Sequence, residues 1–168
     1  MRIIVSDSSC LIDLRKASLL KTFLRLPYEI LIPNTLFEEE LLKFTIEEKA
    51  LLSGGLKVMD LPGENVLRAQ HVVSNMPQLS IHDGFAFALA EMCPGCILLS
   101  GDGGLRTLAE EHDIEVRGVL WVMDEIYRNG LVGTADILTV LRLFANDQTV
   151  RLPRRALAAY IKRYESIE

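Results

Sequence analysis

The chain has no apolar run near the ~20 residues needed to cross a bilayer, so no membrane span is expected in its 168 residues. The opening run Ile3–Val5 is flanked by Arg2 and Asp7. It is too short for the apolar core of a secretory signal, which makes the cytoplasm the expected location. Cysteine is scarce and odd in number, at three. Cys93-Pro-Gly-Cys96 has a Cys-x-x-Cys spacing, yet no second pair and no suitably spaced histidines follow to complete a zinc site. A thioredoxin-like pair would open a helix after a strand, whereas this one follows a helical pattern and precedes an extended one. Pro-Gly here reads as a helix-ending turn.

Other signatures are missing too. No Gly-x-Gly-x-x-Gly turn follows the first strand-like run, which argues against a dinucleotide fold. No Gly-x-Ser-x-Gly elbow accompanies Ser8 or Ser9. An aspartyl-phosphate receiver would want adjacent acids after the first strand and a lysine after a later one. Asp7 is followed by two serines, and no lysine lies between Lys57 and Lys162. There are no internal repeats and no low-complexity segments.

What is present is a residue mix that is 49% hydrophobic, in short segments broken by charges. That implies a sizeable buried core and a single compact domain over 1–168. The net charge of −5 argues against indiscriminate electrostatic binding of nucleic acid. It leaves room for a nuclease, because catalytic carboxylates would themselves contribute to that charge. Arg151, Arg154, Arg155, Lys162 and Arg163 crowd into residues 151–168. They suggest a basic patch that guides RNA or anchors an acidic partner, or else a solvated helix face.

Patterning predicts strands at Arg2–Ser6, Glu29–Ile32, Leu56–Leu61, Ile97–Ser100 and Ile114–Val116, alternating with helices. One helix, capped by Asn34 or Thr35, is expected to run through Leu36, Phe37, Leu41, Leu42 and Phe44. After Gly118 only helices are expected. Strands alternating with helices imply an α/β fold with a mainly parallel sheet and helices on both faces. Right-handed crossovers then bring the strand ends to one edge, where ligands bind in such sheets.

Four acidic positions fall at or near that edge: Asp7, a glutamate of the Glu38–Glu40 triplet, Asp83 and Asp102. Each has an ordinary explanation. Asp7 and Asp102 suit helix caps, Asp83 suits a first helical turn, and the glutamates suit an exposed face. Together they suggest more, because gathered carboxylates repel one another unless a cation or shared proton offsets the charge. Hard oxygen donors suit Mg²⁺ or Mn²⁺, ions that serve phosphoryl chemistry.

The order Asp-Ser-Ser-x-Leu-Ile-x-Leu, an acid after the second strand, Leu-Ser-x-x-Asp, then strand–Ser-x-Asp-x-x-Leu resembles the PIN-domain nucleases. More narrowly it is similar to the VapC-type toxin ribonucleases, over about residues 1–120. The resemblance implies a PIN-like three-layer α/β/α fold, with a C-terminal helical extension at about 119–168. It implies that Asp7, Glu40, Asp83 and Asp102 bind Mg²⁺ or Mn²⁺ and catalyse hydrolysis of RNA. Expected partners are RNA, an antitoxin protein and a second copy of the chain. Glu39 competes for the second position. Glu40 is preferred because it precedes Leu41 and, at 100° per residue, points with Leu36 and Phe44. His82, one helical position from Asp83, is expected at the surface or behind the site. The added C-terminal helices and Gly103-Gly104 depart from the compact toxins. A non-toxin or non-catalytic PIN-like module that binds RNA or protein is the alternative.

Overall fold

The computed structural model describes residues 1–167. The β-branched segment Arg2–Ser6 forms β1, the middle strand of a five-stranded sheet in the order β3-β2-β1-β4-β5. The others are β2 (Tyr28–Pro33), β3 (Lys57–Met59), β4 (Ile97–Leu99) and β5 (Glu115–Arg117), and every pairing is parallel. Central parallel strands are covered on both faces, which is why Ile4, Val5, Ile97, Leu98 and Leu99 are fully buried. The chain runs outward from β1 through β2 to β3, then returns to lay β4 on the other side of β1. That reversal makes a topological switch point between the carboxyl ends of β1 and β4.

Helices complete a three-layer α/β/α arrangement. On one side α6 (Ile81–Glu91) lies across β1, β2 and β4, with α5 (Gly63–Ser74) and α7 (Gly103–Glu111) against it. Elsewhere α1 (Ser8–Lys16) and α2 (Leu20–Phe23) pack with α8 (Val119–Arg128). The pair α9 (Thr134–Asn146) and α10 (Arg154–Glu165) continues from α8. Asp124 ties α10 back to α8, accepting from Tyr164 Oη and Arg163 Nη2 at 2.5 Å each. Among the described residues no helix is long and apolar enough to cross a membrane.

Two expectations about this framework fail. The helix after β2 does not reach Phe44: α3 spans Asn34–Glu39 and ends at its C-cap Glu40. A separate α4 (Ile46–Gly55) follows, opened by a capping box in which Thr45 and Glu48 satisfy each other's backbone amides. The apolar spacing misled because Leu41 and Phe44 are buried from the intervening turn, not from a helix face. Nor does Asn34 or Thr35 cap α3: Pro33 takes that place without a side-chain bond. Cys93-Pro-Gly-Cys96 does form a turn between α6 and β4, with Gly95 at φ +81°. Its thiols are free, and burial pushes Cys96 up to about 11.

Candidate active site at the switch point

Asp7 follows β1 directly and caps α1, accepting from the backbone N–H of Ser9 at 2.9 Å. Its Oδ1 also accepts from Ser9 Oγ at 2.6 Å, and its Oδ2 from Ser100 Oγ at 2.5 Å. Ser100 follows β4, so this last bond closes the switch point from both sides. The same Ser100 Oγ accepts from the amide of Asp102 at 3.0 Å. Asp102 in turn caps α7, with Oδ2 accepting from Leu105 N at 2.8 Å. Ser9 Oγ accepts from Gly101 N at 3.1 Å. Two serines thus knit the Asp7 and Asp102 loops into one rigid unit.

Asp83 is held by a capping box at the start of α6. Ser80 N donates to its Oδ2 at 2.9 Å, and Ser80 Oγ accepts from the Asp83 amide at 3.1 Å. Glu40 stands at the end of α3 and accepts from Ser8 Oγ at 2.8 Å, one residue from Asp7. Glu39 turns instead to His82, 2.7 Å from Nε2, while His82 Nδ1 lies 3.9 Å from Glu40. The helical-phase reason for preferring Glu40 therefore lapses, since Phe44 is off the helix, but its contact with Ser8 links it to the Asp7 loop. His82, on α6, is partly covered, contacts Glu39 and approaches Glu40.

Electrostatics ties three of these groups together. Asp7 is only 4% exposed, and burial pushes its carboxyl up to about 6 against the lowering effect of the Ser100 and Ser9 bonds. The charge of Asp83 contributes to that rise. Asp83 is itself raised, first by burial and then by the charge of Asp102, with Ser80 and His82 acting in the opposite direction. A carboxylate that is buried, hydrogen-bonded and still raised is a group whose negative charge lacks a counterion.

Hard carboxylate oxygens facing one another's charge are the donor chemistry that Mg²⁺ and Mn²⁺ take. Asp7, Asp83 and Asp102, with Glu40 beside them, fit a divalent ion in that sense. Among the described residues, however, no three His, Cys, Asp or Glu side chains are grouped to hold a metal as they stand. Asp7, Asp83 and Asp102 are each engaged by a local cap, so taking up a cation would mean exchanging capping bonds for ligation. Gly104 keeps Asp102 unencumbered: a Cβ there would sit 3.3 Å from Asp102 Oδ2 and 3.0 Å from a methyl of Leu79.

The serine pairings are the part of this site that no local motif specifies: in the sequence Ser8 and Ser9 only follow Asp7, and Ser80 and Ser100 stand only as members of Leu-Ser-x-x-Asp and Ser-x-Asp. Their partners across the sheet depend on β1 lying beside β4. Three of the five basic residues near the C-terminus have distinct surroundings. Arg151 lines a cleft beside Gly101 and Gly103, Arg154 lines another between α9 and α10, and Arg163 is paired with Asp124.

A family model described as a PIN domain matches residues 3–166. No curated protein matches the chain.

Proposed function

The chain belongs to the PIN-domain family, whose members are generally nucleases that typically use divalent metals, and on that premise we propose that it is a Mg²⁺- or Mn²⁺-dependent endoribonuclease. The observation that carries the reading is Asp7: a buried carboxylate at the switch point, pushed up to about 6 by burial, with the charge of Asp83 contributing to that rise. A helix cap alone needs no burial and no second acid. We read the protein further as the toxin of a type II toxin–antitoxin pair, similar to the VapC-type ribonucleases, working as a homodimer and silenced by an antitoxin.

Asp7, Asp83, Asp102 and Glu40 would hold the cation. When bound there, the ion supplies Lewis acidity toward the phosphodiester and the attacking water. Ser100 and Ser9 fix the Asp7 carboxylate, and Ser100 also holds the Asp102 amide, so two of the four acids share one anchor. Asp83 or Glu40 orients the attacking water as a base. His82 positions Glu39 and Glu40. Capping bonds that keep Asp83 and Asp102 in separate loops favour the competing reading, a non-catalytic module that binds RNA or protein through the same fold.

Purified protein incubated with mixed single-stranded RNA separates the two. Cleavage that needs Mn²⁺ or Mg²⁺, stops with chelator and is lost in Asp7→Asn and Asp102→Asn supports the nuclease. Binding without cleavage under every metal condition supports the module.

A further inference from the structure

A cleft of about 550 Å³ opens beside the acids. Gly101 and Gly103, the two neighbours of Asp102, line it, as do Cys10 and Asp13 on the helix that Asp7 caps. Its opposite wall comes from the start of α8 and from the segment leading into α10. Three arginines reach it, Arg106, Arg117 and Arg151, against a single lining carboxylate, Asp13. Two aromatic rings, Trp121 and Tyr160, stand in the same wall.

The arginines differ in how far they are already satisfied. Arg117 is paired with Glu115 at 3.1 Å. Arg106, partly covered, and Arg151, exposed, form no ion pair among the described residues, so both guanidiniums are free to take an anion. Arg106 is also close to the catalytic edge. Its Nη2 and the carbonyl oxygen of Ser100 lie 3.5 and 3.8 Å from one point, the place a Cβ on Gly118 would occupy. Ser100 is the residue that bonds Asp7. The cleft is therefore continuous with the acidic edge and opposite to it in charge.

We propose that this cleft is a subsite for single-stranded RNA, in which Arg106 and Arg151 each take a backbone phosphate near the scissile one and a base stacks on Trp121 or Tyr160. The proposal rests on the ribonuclease reading and deepens it by naming how the substrate is held. Acids that bind a cation repel the phosphate backbone until the cation is in place, so the strand needs positive anchors nearby. Phosphate contacts set register, while unstacked bases on aromatic rings are the mark of single-stranded recognition. Arg151 comes from the C-terminal extension, which gives that extension a role in holding substrate.

Trp121 is the one tryptophan in the chain, so its fluorescence reports occupancy of the cleft directly. The probe is a short oligouridylate titrated into the full-length protein in chelator, where cleavage is suppressed. Native protein should show saturable quenching that weakens with salt. Arg106→Gln with Arg151→Gln should lower affinity about tenfold or more and flatten the log–log salt slope by about 1.4, two phosphate contacts at about 0.7 each. The exposed Arg151→Gln alone, which places no demand on the fold, should give about half that change in slope. Native RNA cleavage together with an unchanged slope and unchanged quenching in both variants would overturn the subsite and leave the nuclease reading standing. Absence of both binding and cleavage in native protein would overturn both. Equal quenching by polyglutamate would assign the cleft to an acidic protein partner and also overturn the RNA subsite.

Discussion

Ser100 Oγ donates to Asp7 Oδ2 at 2.5 Å across the junction of β1 and β4. It accepts from the Asp102 amide with the same oxygen, so one hydroxyl fixes the spacing of two of the four acids. Ser100→Ala removes both bonds and leaves a buried carboxylate less satisfied. Loss of stability of about 1–3 kcal/mol is expected. Divalent-ion affinity should fall about 10–100-fold, the usual effect of losing a group that orients a ligand. Denaturant melts and Mn²⁺ titration read the two effects separately.

Asp7 makes a pH prediction whose sign is fixed. Its ordinary value is 3.8 and its folded value is about 6, so the folded state holds the proton more tightly than the unfolded state. The contribution is therefore fully present below about pH 4 and lost as pH rises through about 6. Two units correspond to roughly 3 kcal/mol. In chelator, Asp7→Asn should match native stability near pH 4 and exceed it at pH 8. Asp13, pushed up to about 6 by burial, titrates in the same window but is common to both proteins, so the difference isolates Asp7. Identical pH–stability curves would contradict the raised value.

Glu40 and Glu39 separate by their contacts. Glu40 is bonded to Ser8 beside Asp7, whereas Glu39 is bonded to His82 and is 62% exposed. Glu40→Gln should reduce cleavage and Mn²⁺ affinity more than Glu39→Gln. The reverse order, measured on the same RNA, would move the ligand assignment to Glu39.

The toxin and dimer readings carry their own tests. Leu42, Ile46 and Leu67 are 78%, 85% and 67% exposed, apolar surface that a partner would cover. Expression without a partner should arrest growth, and Asp102→Asn should relieve the arrest. Sedimentation at micromolar concentration should show a dimer. Unimpaired growth would remove the toxin label, and a monomer would remove the dimer, neither of them touching the nuclease.

Much of the framework was legible because it is local. The Ile3–Val5 run, the Asp7 and Asp102 caps and the first-turn place of Asp83 each declare themselves within a few residues. Thr45-x-x-Glu48 is an equally local signature, and it would have revealed α4 had the apolar spacing across Phe44 not suggested one long helix. The pairing of Ser100 with Asp7 depends on the chain's return to the far side of β1, and nothing near either residue specifies it. The arginine cleft is less legible still, because Arg106, Arg117 and Arg151 lie on three separate segments that only the fold brings to one cleft.

The most direct test of the whole account is the rate of single-stranded RNA cleavage as a function of Mn²⁺ concentration, measured side by side for native protein and Asp102→Asn. Asn preserves the capping oxygen at the start of α7 and removes one charge from the acid set. The native chain should show saturable Mn²⁺-dependent cleavage, and the Asn variant should melt like the native protein yet need far more Mn²⁺ or fail to cleave. Equal Mn²⁺ dependence in the two proteins would contradict it, leaving Asp102 as a helix cap and nothing more.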